Sequence, residues 1–455
     1  MNRARTLKDA YNLSNPVQPL PQGDPRYVDC TPVRGNENVV DQMFNSIVWS
    51  DVHVAQLFTG HRGSGKSTEL LRLQARLQKA GYVVLYFEAD DDLDLNDLEY
   101  TDLLLSIARR VASDLYDACI QLPSDLLKSV ADWFSETLYT EEQRHEIDRE
   151  LATEAKLGIG LPETLPLVVR LLARVTGQIK TGRTIRTEIR RKLDPQISQL
   201  IANVNRLLDA AHARIRRQGK QGLVLLIDNL DRIVLRDLGD GRTTHHALYI
   251  EHGEQLRALH CHAVYTVPIS VMYSDKATVV TAIFPDYQVL PMLKVKNRNG
   301  SDDQRGLRYL RGILASRIDL DALFIPDAVD YLCRASGGHP RDLMTLVRYA
   351  CTYAPSDVWP RPIKLEVVRR AEARLVAEYS RMIPEKHFPL LARVHLLRTM
   401  QNDEAHELML YNLSVLEYIN GAPPWHDVHP AVTQLPKFRE ALRDERKKLG
   451  LTAAG

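Results

Sequence analysis

The sequence predicts an α/β fold with a parallel five-stranded sheet, a helical insertion, an α-helical lid and a C-terminal winged-helix-like module. Three observations indicate the sheet. Residues 54–59 form a short apolar run that leads into a glycine-rich loop and then a helical pattern. Residues 222–228 form a continuous apolar run that ends in a carboxylate, as a buried parallel strand does. Further apolar runs alternate with helical patterns, which favours parallel strands joined by helices.

The loop at residues 60–67, GHRGSGKS, matches the pattern G-x-x-x-x-G-K-[ST] at every fixed position. Glycines let the backbone curl so that its N–H groups point inward at phosphate oxygens. The helix predicted at 68–79 presents its free N–H groups to the same anion. Lys66 is placed to reach the β- and γ-phosphates, and the Ser67 hydroxyl to hold Mg²⁺. A glycine-rich turn that binds nothing is the alternative, which the flanking strand and helix disfavour.

Composition excludes several classes of protein. The 455 residues are enough for about three domains. A hydrophobic content of 44%, a charged content of 26% and a net charge of +1 are ordinary for a soluble protein and show no overall bias toward nucleic acid. The five cysteines are scattered without a C-x-x-C pair, which suits the cytoplasm and offers no zinc site. Neither a signal peptide nor a membrane span is expected.

We expect four parts along the chain. They are an N-terminal arm at 1–35, a core at 36–300 that contains a helical insertion at 122–195, a lid at 301–355, and a winged-helix-like module at 356–455. The arm is polar and rich in proline, so we expect it to be extended. It either closes over a nucleotide base or packs on the surface.

An acidic cluster at 90–94 follows the strand predicted at 81–88. It lies either near Mg²⁺, because ligands of α/β sheets bind at that edge, or at a solvated helix start, which is the favoured alternative. The insertion should contain helices broken at Pro123, Gly158, Gly160, Pro162 and Pro166. The basic run at 180–192 is interpreted as a solvated face, with a phosphate-backbone or partner contact as the alternative.

Asp228 ends the strand at 222–228 and is the predicted acid of the Mg²⁺ shell. The next residue is Asn229, so the glutamate that often activates water at that position is absent. Asp231 is the best substitute as general base, and the alternative is that it caps the following turn.

Two more strands are predicted at 262–268 and 287–295, and Pro291 makes the second an edge strand or a strand end. Thr266 and Ser270 are candidates for sensing the γ-phosphate. Histidines 245, 246, 252, 260 and 262 have no convincing ligand spacing and are interpreted as surface or packing residues.

The rest of the chain is mostly helical. Helices are expected at 305–318, 326–335, 341–353, 364–382, 389–400 and 434–448, and a β-hairpin from residues 408–420 and 425–430. Arg341 begins a helix after a glycine turn, where its guanidinium could reach back to a nucleotide phosphate.

Residues 60–67 and 227–232 resemble the P-loop ATPases of the AAA+/STAND/KAP group, which belong to the additional-strand (ASCE) division. Residues 60–67 (the P-loop below) are similar to a Walker A loop, and residues 227–232 resemble the D-x-L-D-R variant of Walker B. Residues 338–341 are similar to the sensor 2 turn of replication-initiator AAA+ proteins. Residues 33–37 resemble the segment that touches adenine. The resemblance covers 27–355 and implies ATP, Mg²⁺ and a helical lid.

The candidate site residues follow from these motifs. The predicted catalytic residues are Lys66, Asp228, Asp231 and Arg341. The predicted nucleotide-binding residues are Arg34, Gly60, Arg62, Gly63, Ser64, Gly65, Lys66, Ser67 and Thr68, and the predicted metal ligands are Ser67 and Asp228.

Three functions are considered. The first is a slowly hydrolysing ATP switch that signals to a protein partner or by self-association; its setting in bacterial defence comes from the resemblance alone. The second is a DNA-binding AAA+ ATPase of the replication-initiator, loader or transposition-regulator type. The net charge of +1 and the acid-interleaved final helix favour the first. The third is a phosphotransferase, for which the sequence offers no acceptor site.

Overall fold

The computed structural model describes residues 3–157, 162, 165–355, 362–419 and 423–451. In chain order its helices and strands are α1 (Leu7–Leu13), α2 (Val39–Trp49), β1 (Ala55–Gly60), α3 (Lys66–Lys79), β2 (Val83–Glu88), α4 (Ala89–Asp92), α5 (Tyr100–Asp117), α6 (Ser124–Leu138), α7 (Glu141–Leu157), α8 (Leu167–Thr181), α9 (Arg183–Leu193), α10 (Ile197–Arg217), β3 (Leu223–Asp228), β4 (Asp237–Gly239), β5 (Arg242–Thr243), α11 (Thr244–His246), α12 (Gly253–Arg257), β6 (His262–Val267), α13 (Ala277–Ile283), β7 (Asp286–Leu290), α14 (Gln304–Ala315), α15 (Leu320–Leu323), α16 (Pro326–Ala335), α17 (Pro340–Tyr353), α18 (Leu365–Met382), α19 (Phe388–Leu397), α20 (Glu404–Tyr411), β8 (Val415–Tyr418), β9 (Trp425–Val428), α21 (Pro430–Thr433) and α22 (Pro436–Lys448).

The central sheet has five strands in the order β2-β3-β6-β1-β7, and every neighbouring pair is parallel. All residues of β3 and β6 are buried, which explains why their sequences are continuous apolar runs. The carboxyl ends of β1 and β3 lie at the same edge of the sheet, with β6 between them. The predicted fold class, including the helical lid and the winged-helix-like module, is confirmed.

Side-chain alternation along the strands divides the sheet between two cores. Leu223, Leu225 and Ile227 of β3 pack with the helices of the insertion, whereas Val224 and Leu226 face α2 and α3. A separate core joins the lid to the C-terminal helices and also takes in residues of the arm. The lid and the C-terminal module are therefore packed as one apolar unit, while their predicted boundary stays a prediction.

Two local expectations were wrong, and a third was confirmed in part. The arm is not wholly extended, because Thr6 caps α1 by accepting a hydrogen bond from the Asp9 N–H, and α1 packs on α17. Strand β7 is an edge strand and ends directly before Pro291, as expected, but it covers Asp286–Leu290 and not 287–295, because Pro291 has no N–H for the ladder. Residues 408–411 are helical, because the cap formed by Asp403 starts α20 just before β8.

The basic run on α8 and α9 faces inward in part. Arg186 and Arg190 are only 4% and 9% exposed. Arg190 pairs with Glu99 at 2.8 Å and with the buried Asp102, and Arg186 pairs with Asp94 at 3.0 Å. Neither of the two interpretations offered for the run describes these arginines, since they fasten the insertion to the acidic segment after β2.

The acidic cluster is also mostly structural. Asp92 is buried and pairs with Arg109 and Arg110, each at 2.6 Å.

Pro195 lies in a short 3₁₀ turn between α9 and α10, and the breaks predicted at Gly158 and Gly160 lie outside the described residues. None of the described helices has the length and apolar character that crossing a bilayer requires.

Candidate nucleotide-binding site

The P-loop connects β1 to α3 at the carboxyl edge of the sheet. Gly65 precedes α3 with φ +108°, and no side chain caps the helix there, so the first N–H groups of α3 stay available to an anion. A Cβ atom at Gly63 would lie 2.7 Å from Nε2 of His339 and from Cβ of Arg341. Only glycine therefore lets the lid approach the P-loop this closely.

Lys66 is folded back onto its own loop. Its ammonium donates to the carbonyls of Gly60 at 2.8 Å and His61 at 3.0 Å, and it pairs with Oδ2 of Asp231 at 2.9 Å. Burial acts to raise the pKa of Asp231, but the Lys66 ammonium together with the Arg62 and Arg232 guanidinium groups outweighs burial, and the pKa lies below its usual value. Asp231 is therefore a charged partner of Lys66 in this conformation.

Asp228 lies at the end of β3 and is 1% exposed. Its carboxylate accepts hydrogen bonds from the Tyr86 hydroxyl at 2.9 Å, from the Asn229 N–H at 2.7 Å and from the Ser67 hydroxyl. Burial and the charge of Asp231 raise its pKa. The two predicted metal ligands, Ser67 and Asp228, are thus in contact. A cation bound beside them would lower the pKa of Asp228 again, because it stabilises the charged carboxylate.

Glu88 was missed by the sequence analysis. It ends β2, in register with Asp228, and its Oε2 accepts a hydrogen bond from Nδ2 of Asn229 at 2.7 Å. Burial, followed by the charges of Asp228 and Asp90, raises the pKa of Glu88. A carboxylate as the last residue of a parallel strand was the signal that could have identified it.

The lid covers the P-loop through residues 338–341. Nε2 of His339 lies 2.7 Å from the Arg62 carbonyl, and its Nδ1 lies 3.2 Å from Oδ2 of Asp342. Arg341 is also largely buried, and burial and the nearby Arg62 guanidinium lower its pKa. Arg341 thus lies beside the P-loop, and its contact with a nucleotide phosphate stays a prediction.

The N-terminal arm lies over the same cleft. Nη2 of Arg34 donates to the Ser64 carbonyl at 2.6 Å, and the Leu20 N–H donates to Oγ1 of Thr68 at 3.1 Å. Tyr27 of the arm lines the cleft together with Ile313 of the lid. A partly apolar space bounded by the arm and the lid thus adjoins the P-loop.

Several buried polar atoms of this cleft have no hydrogen-bond partner among the described residues. They are Nε and Nη1 of Arg34, Oγ of Ser64 and Nε of Arg341. Leaving such donors unpaired costs free energy, so they indicate a ligand that accepts hydrogen bonds. The donor set fits a polyphosphate, and the Ser67–Asp228 pair fits a hard cation such as Mg²⁺.

The two γ-phosphate sensor candidates lie outside the cleft lining. The Thr266 hydroxyl accepts from the Leu230 N–H at 3.0 Å and donates to the Ile227 carbonyl at 3.3 Å. Ser270 lies 3.4 Å from Nδ1 of His245. Both hydroxyls are occupied within the fold, which gives each a structural role in this conformation.

Comparison with known proteins finds distant similarity to two solved structures. No protein-family model and no curated protein matches the sequence. The Orc1 protein of Aeropyrum pernix in complex with DNA is similar over 97% of this chain and 98% of its own, with 14% identity and a TM-score of 0.39. Cdc6p from Pyrobaculum aerophilum is similar over 92% of this chain and 98% of its own, with 10% identity and a TM-score of 0.35. A likeness at this level carries no argument about function.

Proposed function

We propose that the chain is an ATP-binding P-loop ATPase that works as a nucleotide-operated switch. The observation that carries the proposal is the contact of one loop with two downstream modules. Nε2 of His61 accepts a hydrogen bond from the Glu417 N–H of β8 at 2.9 Å, while the Arg62 carbonyl meets His339 of the lid. Any movement of the P-loop on binding phosphate therefore acts directly on both modules.

The proposed binding roles follow the site geometry. Lys66 leaves Asp231 to contact the β- and γ-phosphates, and Arg34 and Arg341 donate their unpaired N–H groups to the nucleotide. Ser67 and Asp228 would hold Mg²⁺, which when bound supplies positive charge that offsets the charge of the phosphates. Asn229 replaces a glutamate beside Asp228, so we expect slow hydrolysis.

A buried network supports the coupling between lid and C-terminal module. Oδ2 of Asp342 accepts from the Tyr379 hydroxyl at 2.8 Å and lies 3.2 Å from ring nitrogens of both His339 and His429. His429 belongs to the C-terminal module, directly after β9. Asp342 therefore contacts both His339, the lid histidine that lies against the P-loop, and His429 of the winged-helix-like module.

The output of the switch has two candidates. The first is a protein partner or self-association, which agrees with the near-neutral charge of the chain. The second is DNA, as for a replication-initiator ATPase. It is favoured by the C-terminal order of α19, α20, the β8–β9 hairpin and α22, since a helical module with a hairpin wing is suited to duplex DNA.

Nucleotide binding is tested by calorimetry with Mg²⁺ and ATP. We expect the wild type to bind ATP and Lys66→Ala to bind at least about tenfold more weakly, because a charged phosphate contact is lost. Lys79→Ala, at the far end of the same helix, is the matched control and should bind like the wild type. A wild type that does not bind ATP would overturn the proposal.

The two outputs are separated by a gel-shift series over salt concentration with ATP present. DNA binding through phosphate contacts weakens steeply as salt rises. Salt-sensitive binding would support the DNA output, and the same series run with Lys66→Ala would show whether the nucleotide controls it. Absence of binding at low salt would leave the protein partner.

A further inference from the structure

Three potential metal ligands meet where the C-terminal module packs on the core. His246 ends α11, Asp275 follows the 3₁₀ turn Ile269–Tyr273, and Glu407 lies on α20. One ligand atom from each residue lies within 4.8 Å of the other two. None of the three lines the nucleotide cleft, so the group is separate from the proposed ATP site.

Two of these side chains are deeply buried, and one of them, His246, has a ring nitrogen that is buried without a hydrogen-bond partner among the described residues. Glu407 is 6% exposed and His246 is 5% exposed. Within the described part of the chain, the carboxylates of Glu407 and Asp275 form no hydrogen bond or ion pair, and Nε2 of His246 is buried without a partner. Buried polar groups left in this way are destabilising unless a proton or a cation satisfies them.

The other nitrogen of the His246 ring is already held. Nδ1 lies on the side of the Gly241 carbonyl and the Lys276 ammonium. The ammonium is 3.2 Å from that carbonyl and 3.4 Å from Nδ1. In the tautomer that carries its proton on Nδ1, Nε2 is free to bind a metal, and a carbonyl beside the protonated nitrogen is the usual partner of metal-binding histidines.

The charges around the group favour a cation. Asp275, Glu404 and Asp403 all place negative charge near Glu407. Lys276 is the opposing positive charge. The acids that surround Glu407 therefore outweigh the single ammonium, and a divalent ion would relieve their mutual repulsion.

We propose that His246, Asp275 and Glu407 bind one Zn²⁺ ion that fastens the C-terminal module to the core. One imidazole nitrogen and two carboxylate oxygens form a ligand set that Zn²⁺ accepts, with water as the fourth ligand. The three ligand atoms lie within 4.8 Å of one another, and zinc–ligand bonds of about 2.0–2.2 Å require the side chains to draw together around the ion when it binds.

The test uses the full chain after treatment with a chelator. Zinc titration by calorimetry should give one site per chain, and saturating Zn²⁺ should raise the midpoint of thermal unfolding. Co²⁺ should bind at the same site and produce the visible absorption of a four-coordinate centre. Glu407→Gln and His246→Gln should weaken zinc binding at least about tenfold.

Two further variants keep the test decisive. Asp275 is exposed, so Asp275→Asn should fold normally and still weaken zinc binding. Glu440→Gln, which changes an exposed acid on α22 that takes no part in the group, is the control and should bind zinc like the wild type. Absence of stoichiometric zinc binding, or equal affinity in Asp275→Asn and the wild type, would overturn the proposal. ATP binding is measured separately and does not enter either result.

Discussion

At the scale of single residues, two carboxylates at the carboxyl edge of the sheet compete for the role of general base, and of these two Asp231 lines the cleft whereas Glu88 does not. Asp231 is the one expected from the sequence, and its Oδ2 is occupied by Lys66 at 2.9 Å. Glu88 is held by the Asn229 amide instead, and its raised pKa brings it nearer to the range of a useful base. The resting geometry therefore favours Glu88 for activating water and Asp231 for holding the lysine.

Paired substitutions separate these roles. Because a positioned base contributes roughly 100-fold or more to rate, we expect Glu88→Gln to reduce kcat for ATP hydrolysis by about that factor while leaving ATP affinity nearly unchanged. Asp231→Asn should change ATP affinity, because it removes the partner of Lys66. Steady-state hydrolysis and calorimetry measure the two effects. Full turnover by Glu88→Gln together with loss of turnover by Asp231→Asn would return the base role to Asp231.

A buried histidine makes stability depend on pH. Burial lowers the pKa of His245 from 6.5 to about 4 in the folded protein. The unfolded chain therefore binds a proton more readily below about pH 6.5, so the contribution of this neutral histidine to stability is lost as pH falls. Between pH 7 and pH 5 we expect the wild type to lose about 2 kcal/mol more unfolding free energy than His245→Gln.

Urea unfolding at the two pH values measures this difference. His145→Gln, which replaces an exposed histidine on α7, is the control and should show the same pH dependence as the wild type. A His245→Gln variant with the pH dependence of the wild type would contradict the assignment.

At the scale of elements, the insertion is held to the core by charge as well as by apolar packing. Arg190 of α9 is surrounded by Asp97, Glu99 and Asp102, and Asp102 is 1% exposed. Paired charges at this depth matter chiefly because removal of one partner leaves the other buried and unpaired. The attachment of α9 should thus be sensitive to single substitutions on its inner face only.

We expect Arg190→Ala to lower the free energy of unfolding by about 3–5 kcal/mol, because the buried Asp102 carboxylate would lose its charged partner. Arg191→Ala, which changes the adjacent exposed arginine, should alter it by less than about 0.5 kcal/mol. Chemical denaturation of the two variants side by side gives the comparison. Equal stability would show that the ion pairs do not hold the insertion.

At the scale of the whole molecule, the P-loop joins parts that are far apart in the chain. His61 and Glu417 are separated by 356 positions and share a buried hydrogen bond. The Tyr418 hydroxyl donates to the Gly337 carbonyl at 2.6 Å, which ties β8 to the turn that precedes Arg341. The loop, the lid turn and the hairpin are thus three neighbouring parts of one contact region.

Amide hydrogen exchange tests whether this region responds to nucleotide. We expect Mg²⁺ and ATP to change the exchange of β8 and of residues 337–341 in the wild type, because the P-loop rearranges when Lys66 leaves Asp231. Lys66→Ala should show no such change. In His61→Ala the Glu417 amide should exchange faster without nucleotide, and the response of β8 to ATP should be lost. Unchanged exchange in β8 on ATP binding would contradict the coupling.

The sequence by itself determined the parallel sheet, the P-loop and the position of Asp228. These features depend on patterns that span a few residues: apolar runs, glycines at fixed spacing, and an acid at the end of a strand. Its errors at the arm, at β7 and at residues 408–411 were local too, since a cap or a proline competed with a broader pattern.

Only the tertiary structure decided which groups meet. The Lys66–Asp231 pair, the Glu88–Asn229 contact and the inward direction of Arg190 join residues from distant segments. The spacing of apolar and polar residues along the sequence does not predict such contacts. They arise when the sheet brings strand ends to one edge and the helices bury charges against it. The same packing places the C-terminal hairpin against the P-loop, which is the physical basis of the proposed switch.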